Sequence, residues 1–366
     1  MHEDHVTVSK KTALYEEHKK AGAKLVDFHG WMMPLHYGSQ LEEHHHVRND
    51  SGVFDVSHMT VVDLLGAGGR NFLRYLLSND VDRLKHSGKA FYTLMLNNHG
   101  GIIDDLIVYY RAPDNYRLIL NSATREHDLA WIRKNNQDAH SAGIQERTDL
   151  SILAVQGPKA IERVLSLIPM KDKVAALQPF EACSVDDFFF ARTGYTGEDG
   201  LEIILPSKEV VNFWETLLKA GIQPCGLGCR DTLRLEAGML LYGQDMDEST
   251  TPLESGLSWA VALEPSDRTF IGRHALEKEN RRQQKMVGLI LEERGVMRTG
   301  QKVFVEGVGE GVITSGSYSP TLEKSIALAR VPAETAHTCF VEIRGKQIPA
   351  RVTKPRFVRH GKSIVE

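Results

Sequence analysis

The residues best equipped for chemistry in this chain are charged groups written into apolar text. Asp104 and Asp105 stand side by side in GGIIDDLIVYY, Glu202 interrupts LEIIL, and Arg230 follows the small-residue loop CGLGC. A carboxylate in an apolar strand is costly unless something pairs with it. It can take two adjacent N–H donors of a heterocycle, such as an aminopyrimidinone edge, through a paired hydrogen bond. An arginine opening a helix points a guanidinium and free helix-end donors to the same place. Strand side chains alternate, so Asp104 and Asp105 face opposite ways. Ile103, Asp105, Ile107 and Tyr109 then share one face.

Other clusters carry less. His44, His45 and His46 are consecutive, and on a helix they diverge by about 100° each, so they cannot converge on one metal. Ser57 and His58 in DVSHM lack an acid partner or nucleophile elbow. GYTGEDG matches neither the phosphate-binding loop nor the dinucleotide fingerprint, and reads as a tight hairpin permitting close backbone approach. The four cysteines are Cys183, Cys225, Cys229 and Cys339; only Cys225 and Cys229 are close, as a single C-x3-C without a second pair. They read as small core residues, and no metal is expected.

The elements that must position these groups alternate irregularly. LEEHHHVRND reads as a short helix, FYTLMLNNHGGIIDDLIVYYRA as a hairpin, and REHDLAWIRKNNQ as a helix with Leu129, Trp131 and Ile132 along one side. LSILAVQG is a strand, followed by the helix PKAIERVLSLI with Pro158 in its first turn. DDFFFARTGYTGEDGLEIIL reads as two strands joined by a glycine-rich turn, and two helices follow, VVNFWETLLKAG and CRDTLRLEAGMLL. Without a regular βαβ rhythm, the class is α+β. After EKENRRQQK the chain becomes short β runs separated by glycines, the pattern of a small barrel or sandwich.

Composition narrows the partners. The 366 residues are 42% hydrophobic and 25% charged with formal net charge −4. No concentrated basic face points to nucleic acid, and no apolar run approaches the ~20 residues that span a bilayer. The polar, acid-containing start MHEDHVTVSKKTALYEEHKKAG lacks the apolar core of a signal peptide. Sparse cysteines suit a reducing, cytoplasmic setting.

At longer range the text resembles a known family. LVDFHGWMMPLHY, GVFDVSHM, GGIIDDLIVYY, RTGYTGEDGLEI, GLGCRDTLRLEAGMLLYGQDMDESTTPLESGLSW, SGSYSPTLEKSIALARVP and KPRFVRHGK are similar, in order, to motifs of the glycine cleavage T proteins, from about Thr12 to Lys362. The resemblance implies a three-domain cloverleaf around a central folate channel, ending in a β-barrel-like domain. Its body would span 1–280, as two intertwined α+β domains (about 1–50 plus 146–280, and 51–145), and the barrel 281–366. It implies an aminomethyltransferase using tetrahydrofolate as co-substrate, with no metal. Its partner would be the lipoylated H protein of the glycine cleavage system, with ammonia and 5,10-methylenetetrahydrofolate as products.

Residue by residue, the resemblance makes Asp105 the essential acid and Glu202 and Arg230 polar folate contacts. Tyr92, Tyr109 and Tyr195 match ring and hydroxyl contacts, Met59 and Trp259 line the pocket, and Asn121 is a further pocket candidate. Arg298 in GVMR matches an arginine at the cleft facing the lipoyl partner. A competing relative is a non-catalytic folate-binding protein of iron–sulfur cluster assembly. Those proteins carry a cysteine motif resembling K-G-C-Y-x-G-Q-E where this chain has RTGYTGEDG. A folate half of a sarcosine-type oxidoreductase would require an attached flavin domain, for which this length leaves no room.

Overall fold

The computed structural model describes residues 9–136, 142–278 and 283–365. The first eight residues of the polar start and the boundary expected at 280/281 lie outside them. The chain divides into two compact units, Met1–Met59 with Thr148–Asp231, and Thr60–Arg147 with Thr232–Glu366.

The first unit is built on a six-stranded sheet. Its strands run in the order Ala182–Val185, Phe188–Ala191, Gly200–Pro206, Leu150–Gln156, Gly52–Asp55 and Gln223–Pro224. Alternation puts Leu201, Ile203 and Leu205 into one core with Leu153, Val155 and, from the helix Ser207–Lys219, Trp214 and Leu217. Glu202 therefore faces the other side, half-buried, opposite Ala154 and Ala191.

The hairpin leading into that strand explains its own glycines. A Cβ at Gly194 would come within 1.9 Å of Gln156 Oε1, and one at Gly200 within 2.3 Å of the Val155 carbonyl. The close approach that GYTGEDG permits is thus to buried Gln156, which donates to the Thr193 carbonyl at 3.1 Å and accepts from Thr196 Oγ1 at 2.8 Å. The helix Gln40–Asn49 fixes the same loop, because Arg48 donates to the Thr196 carbonyl and to Glu198, both at 2.7 Å. The helix expected to begin at Pro158 begins at Ala160 instead. The chain is still turning at Gly157 (φ 132°), and the Lys159 N–H is taken by the Asp50 carbonyl at 3.0 Å.

The second unit holds an antiparallel five-stranded sheet in the order Ala90–Leu96, Ile102–Ala112, Asn115–Leu120, Thr60–Leu65 and Gly143–Glu146. Leu106, Val108, Leu118 and Leu120 on one face share a core with Phe72, Leu73 and Leu76 of the helix Gly69–Leu76. Leu129 and Ile132 of the helix Arg125–Asn135 join it. Ile103 departs from the strict alternation expected of it. Met95 pairs with Asp104 and Leu96 with Ile102, so Ile103 is the extra residue of a bulge and packs into the same core as Leu106.

The C-terminal β runs close into a six-stranded barrel. Its strands, in order around the barrel, are Gln284–Leu291, Lys324–Pro332, Gly309–Ser319, Lys302–Val305, Thr338–Ile343 and Lys346–Thr353. Closure removes the edges that a small open sandwich would have to protect. Leu289, Val303, Ile313, Ala327, Ala329 and Val341 fill it. The fold class is α+β with a C-terminal β-barrel.

Candidate active site

In the second unit three adjacent strands bring four of the expected residues together. Leu94 pairs with Asp105 and Tyr92 with Ile107, so Tyr92 lies diagonally across from Asp105 on the same face. On the other side Ile107 pairs with Ile119, and Asn121 follows just past the end of that strand. Asn121 Nδ2 donates to Asp105 Oδ1 and to Asp104 Oδ1, both at 2.9 Å, and reaches the Asp105 carbonyl at 3.2 Å. One side chain thereby holds both aspartates although they leave the strand on opposite faces. The Tyr92 ring stacks on Trp259 with centroids 5.2 Å apart, and Trp259 is 59% exposed. Tyr109, further along the Asp105 face and opposite Ala90, is buried.

Asp105 itself is half-buried. Burial, and next the neighbouring Asp104 carboxyl, push its pKa up to about 7, while hydrogen bonds from Tyr92 and Asn121 pull it back. Its charge is thus balanced near neutral pH, a poise that marks functional-site candidates. Asp104 is fully buried beneath the helix Arg125–Asn135, and burial and Asp128 raise its pKa well above the ordinary value.

The first unit holds the second group. Glu202 accepts from Thr193 Oγ1 at 2.5 Å. The Arg230 guanidinium lies over the Tyr195 ring, 4.8 Å from its centroid, and its Nη1 is buried without a hydrogen-bond partner among the described residues. Burial lowers the Arg230 pKa and the Glu202 charge opposes that shift. An orphaned guanidinium nitrogen with a carboxylate in its field suits a heterocycle offering acceptors at one edge and N–H donors at another. Arg230 does not open its helix as expected. The helix is Leu227–Ala237, and the Arg230 N–H is already used by the Gly226 carbonyl at 3.0 Å. The side chain, not a free helix-end donor, is what this position supplies.

Met59, half-buried, follows a turn anchored by Asp55. The Asp55 carboxylate accepts from Thr12 Oγ1 at 2.7 Å and pairs with His18 Nε2 at 2.9 Å, and His18 Nδ1 meets the Tyr37 hydroxyl at 2.8 Å. His58, buried beside Met59, is held neutral, its pKa lowered to about 4 chiefly by burial. Arg298 is exposed, in the loop before the barrel strand Lys302–Val305, with its backbone N–H donated to Gln301 Oε1 at 2.8 Å. Cys225 and Cys229 are buried with Glu43, their potential ligand atoms within 4.8 Å of one another. Glu43 already accepts from the Tyr37 N–H at 2.6 Å and the Gly226 N–H at 2.8 Å.

Residues 14–265 match the family model described as the GCVT N-terminal domain, and residues 284–359 match that of the glycine cleavage T-protein C-terminal barrel domain. The chain belongs to the glycine cleavage T-protein family. An aminomethyltransferase of Legionella pneumophila (strain Lens) is 64% identical over 97% of this chain and 99% of its own length. That of strain Corby matches to the same extent. The crystal structure of glycine cleavage system aminomethyltransferase T from Bartonella henselae superposes with a TM-score of 0.90 at 34% identity, covering 96% of this chain and 98% of that one. As a T-protein family member the chain is an aminomethyltransferase of the glycine cleavage system, a transferase.

Sequence reasoning about this T-protein family member passed over three side chains that hold the candidate residues. Thr193 and Gln156 support Glu202 and its hairpin. Asp128 lies under Asp104, and its signal was present: in REHDLAWI it stands four residues before core-facing Ile132, a position where a helix buries its side chain.

Proposed function

We propose that the protein moves the one-carbon unit of an aminomethyl group, carried on the lipoyl arm of the H protein, to tetrahydrofolate. Ammonia leaves and 5,10-methylenetetrahydrofolate is the product. The observation that carries the reading is Asp105: a half-buried carboxylate fixed by Asn121 at 2.9 Å, with its pKa near 7. Loss of ammonia from S–CH2–NH3+ breaks the C–N bond, the electron pair leaving with nitrogen. Cationic character shared with the sulfur (S=CH2+) develops on the carbon, and a fixed carboxylate stabilises it. The same carboxylate can hydrogen-bond near the N5/N10 region of the acceptor and orient N5 for attack. The carbon gains two C–N bonds to the acceptor and loses the amine and the sulfur, which returns to the arm as a thiol.

Glu202 takes paired N–H donors of the pterin ring, and the unpaired Nη1 of Arg230 supplies a donor. Tyr195, Met59, Tyr92, Tyr109, Trp259 and Asn121 serve as ring and polar contacts. Arg298, exposed and charged, faces the H protein. No described helix is long and apolar enough to cross a membrane, and we place the reaction in the cytoplasm. The test is ammonia release from aminomethyl-loaded H protein, with and without tetrahydrofolate. Release that depends on tetrahydrofolate supports the reading; no release, or release indifferent to it, overturns it.

A further inference from the structure

Beneath the Asp105 strand lies a carboxyl pair that the reaction as described does not use. Asp104 and Asp128 are both fully buried, one on the core face of the sheet and one on the helix Arg125–Asn135 that covers it. Asp104 accepts from the Asn121 N–H at 3.2 Å and from Asn121 Nδ2 at 2.9 Å. Neither oxygen of Asp128 is paired with a donor among the described residues. The groups facing it are the Asp104 carboxyl and the Thr124 hydroxyl, and that hydroxyl is given to the Asn121 carbonyl at 3.4 Å. Among the described residues no cation pairs with either carboxyl; His127, next to Asp128, pairs instead with Glu248 at 3.6 Å. The other titratable groups that bear on it are Asp105 across the sheet, and Tyr242 and Glu248 from the segment packed on the strand's start. Of these, Tyr242 donates its hydroxyl to the Ile102 carbonyl at 3.1 Å, so it is not the missing donor.

Two facing carboxyls without cations are tenable only when a proton lies between them. We propose that Asp104 and Asp128 share one proton, with Asp104 as the neutral donor, and that Asp128 is thereby a positioning residue for the reaction. A neutral Asp104 leaves Asp105 as the single ionised group at the end of the Asn121 bridge. An ionised Asp104 in the same place would hold Asp105 protonated. The directions of the shifts agree with this arrangement: burial raises both members of the pair, Asp128 to about 7 and Asp104 well above its ordinary range. This inference rests on Asp105 being the working carboxylate.

Two isosteric substitutions set the charge beside Asp105 differently. In Asp128→Asn the new amide donates to Asp104 and stabilises its charge, so Asp105 holds its proton more tightly. In Asp104→Asn the neighbour of Asp105 is neutral, as in the wild type, and the amide donates to Asp128. The acidic limb of the turnover profile is therefore expected to move up by about one pH unit in Asp128→Asn, the smaller end of like-charge effects, and to keep its wild-type position in Asp104→Asn. The infrared band of a protonated carboxyl, followed in the enzyme alone at about pH 8.5, above the titration of Asp105, should be present in the wild type and lost in both variants. That band needs no turnover, so it tests the pair independently of the proposed reaction, whose own failure would show as full activity in Asp105→Asn. A limb that stays put in Asp128→Asn, or that moves in Asp104→Asn, overturns the proposal. So does a wild type without the band, or variants that retain it.

Discussion

Replacing Asp105 by asparagine keeps the shape of the side chain and removes its charge. Asn121 Nδ2, now 2.9 Å from a carboxylate oxygen, can still donate to the amide oxygen of the variant, so the local geometry survives. The magnitude is bounded from two sides. A unit charge about 4 Å from a developing cation, at an effective dielectric of about 20, contributes about 4 kcal/mol. Mutated electrostatic stabilisers that retain some hydrogen bonding cost at least about 1.4 kcal/mol, a factor of ten. Turnover of aminomethyl-loaded H protein should therefore fall between about tenfold and about a thousandfold, with tetrahydrofolate affinity largely kept. The assay is ammonia release at saturating tetrahydrofolate over a range of pH. Because Asp105 has its pKa near 7, wild-type turnover should rise through that region as the group ionises, and the Asp105→Asn profile should lack this limb. Stability provides an independent sign. The folded pKa of Asp105 lies above its ordinary 3.8, so the folded state holds the proton more tightly. The group's contribution to stability is present in acid and is lost as pH rises from about 4 to about 7. The melting temperature of Asp105→Asn relative to wild type should accordingly improve across that window. Wild-type turnover in Asp105→Asn would refute the assignment, most sharply alongside a folded Asp104→Asn whose activity is lost at every pH.

Glu202→Gln removes a charge-assisted contact worth roughly 1.5–3 kcal/mol and should weaken tetrahydrofolate binding about tenfold or more by calorimetric titration; equal affinities would take Glu202 out of the pocket. Arg298→Ala should bind tetrahydrofolate normally and turn over H-protein-bound substrate poorly. Its defect should be smaller with free aminomethyl-dihydrolipoamide and should shrink as salt rises. Impairment of folate affinity and of both substrates alike would make its role structural. Gly200→Ala places a methyl 2.3 Å from the Val155 carbonyl and should cost about 1–3 kcal/mol in denaturant unfolding, with unchanged stability as the contrary result.

The elements that present these side chains were legible because each is governed by a local rule. Apolar alternation marked the strand Ile102–Ala112 and the hairpin leading to it, and helical periodicity marked Arg125–Asn135. Short β runs separated by glycine foretold a barrel or sandwich, and the barrel closes. What stayed hidden depends on which elements meet. The glycines of GYTGEDG read as a close backbone approach with its partner unnamed, and that partner is Gln156, some forty residues earlier in the chain. Ile103 broke the alternation through a bulge set by the partner strand. Asp128 acquires its meaning only when its helix docks over Asp104, and nothing within REHDLAWI names the residue it will face.

The most direct test of the account follows the carbon itself. H protein loaded with a 13C-labelled aminomethyl group is mixed with enzyme and tetrahydrofolate in a single turnover, and the label and the ammonia are quantified together. The label is expected to move to the methylene bridge of 5,10-methylenetetrahydrofolate, with one ammonia released per label transferred. Label that stays on the lipoyl arm, or leaves as free formaldehyde while tetrahydrofolate is recovered unchanged, would contradict it.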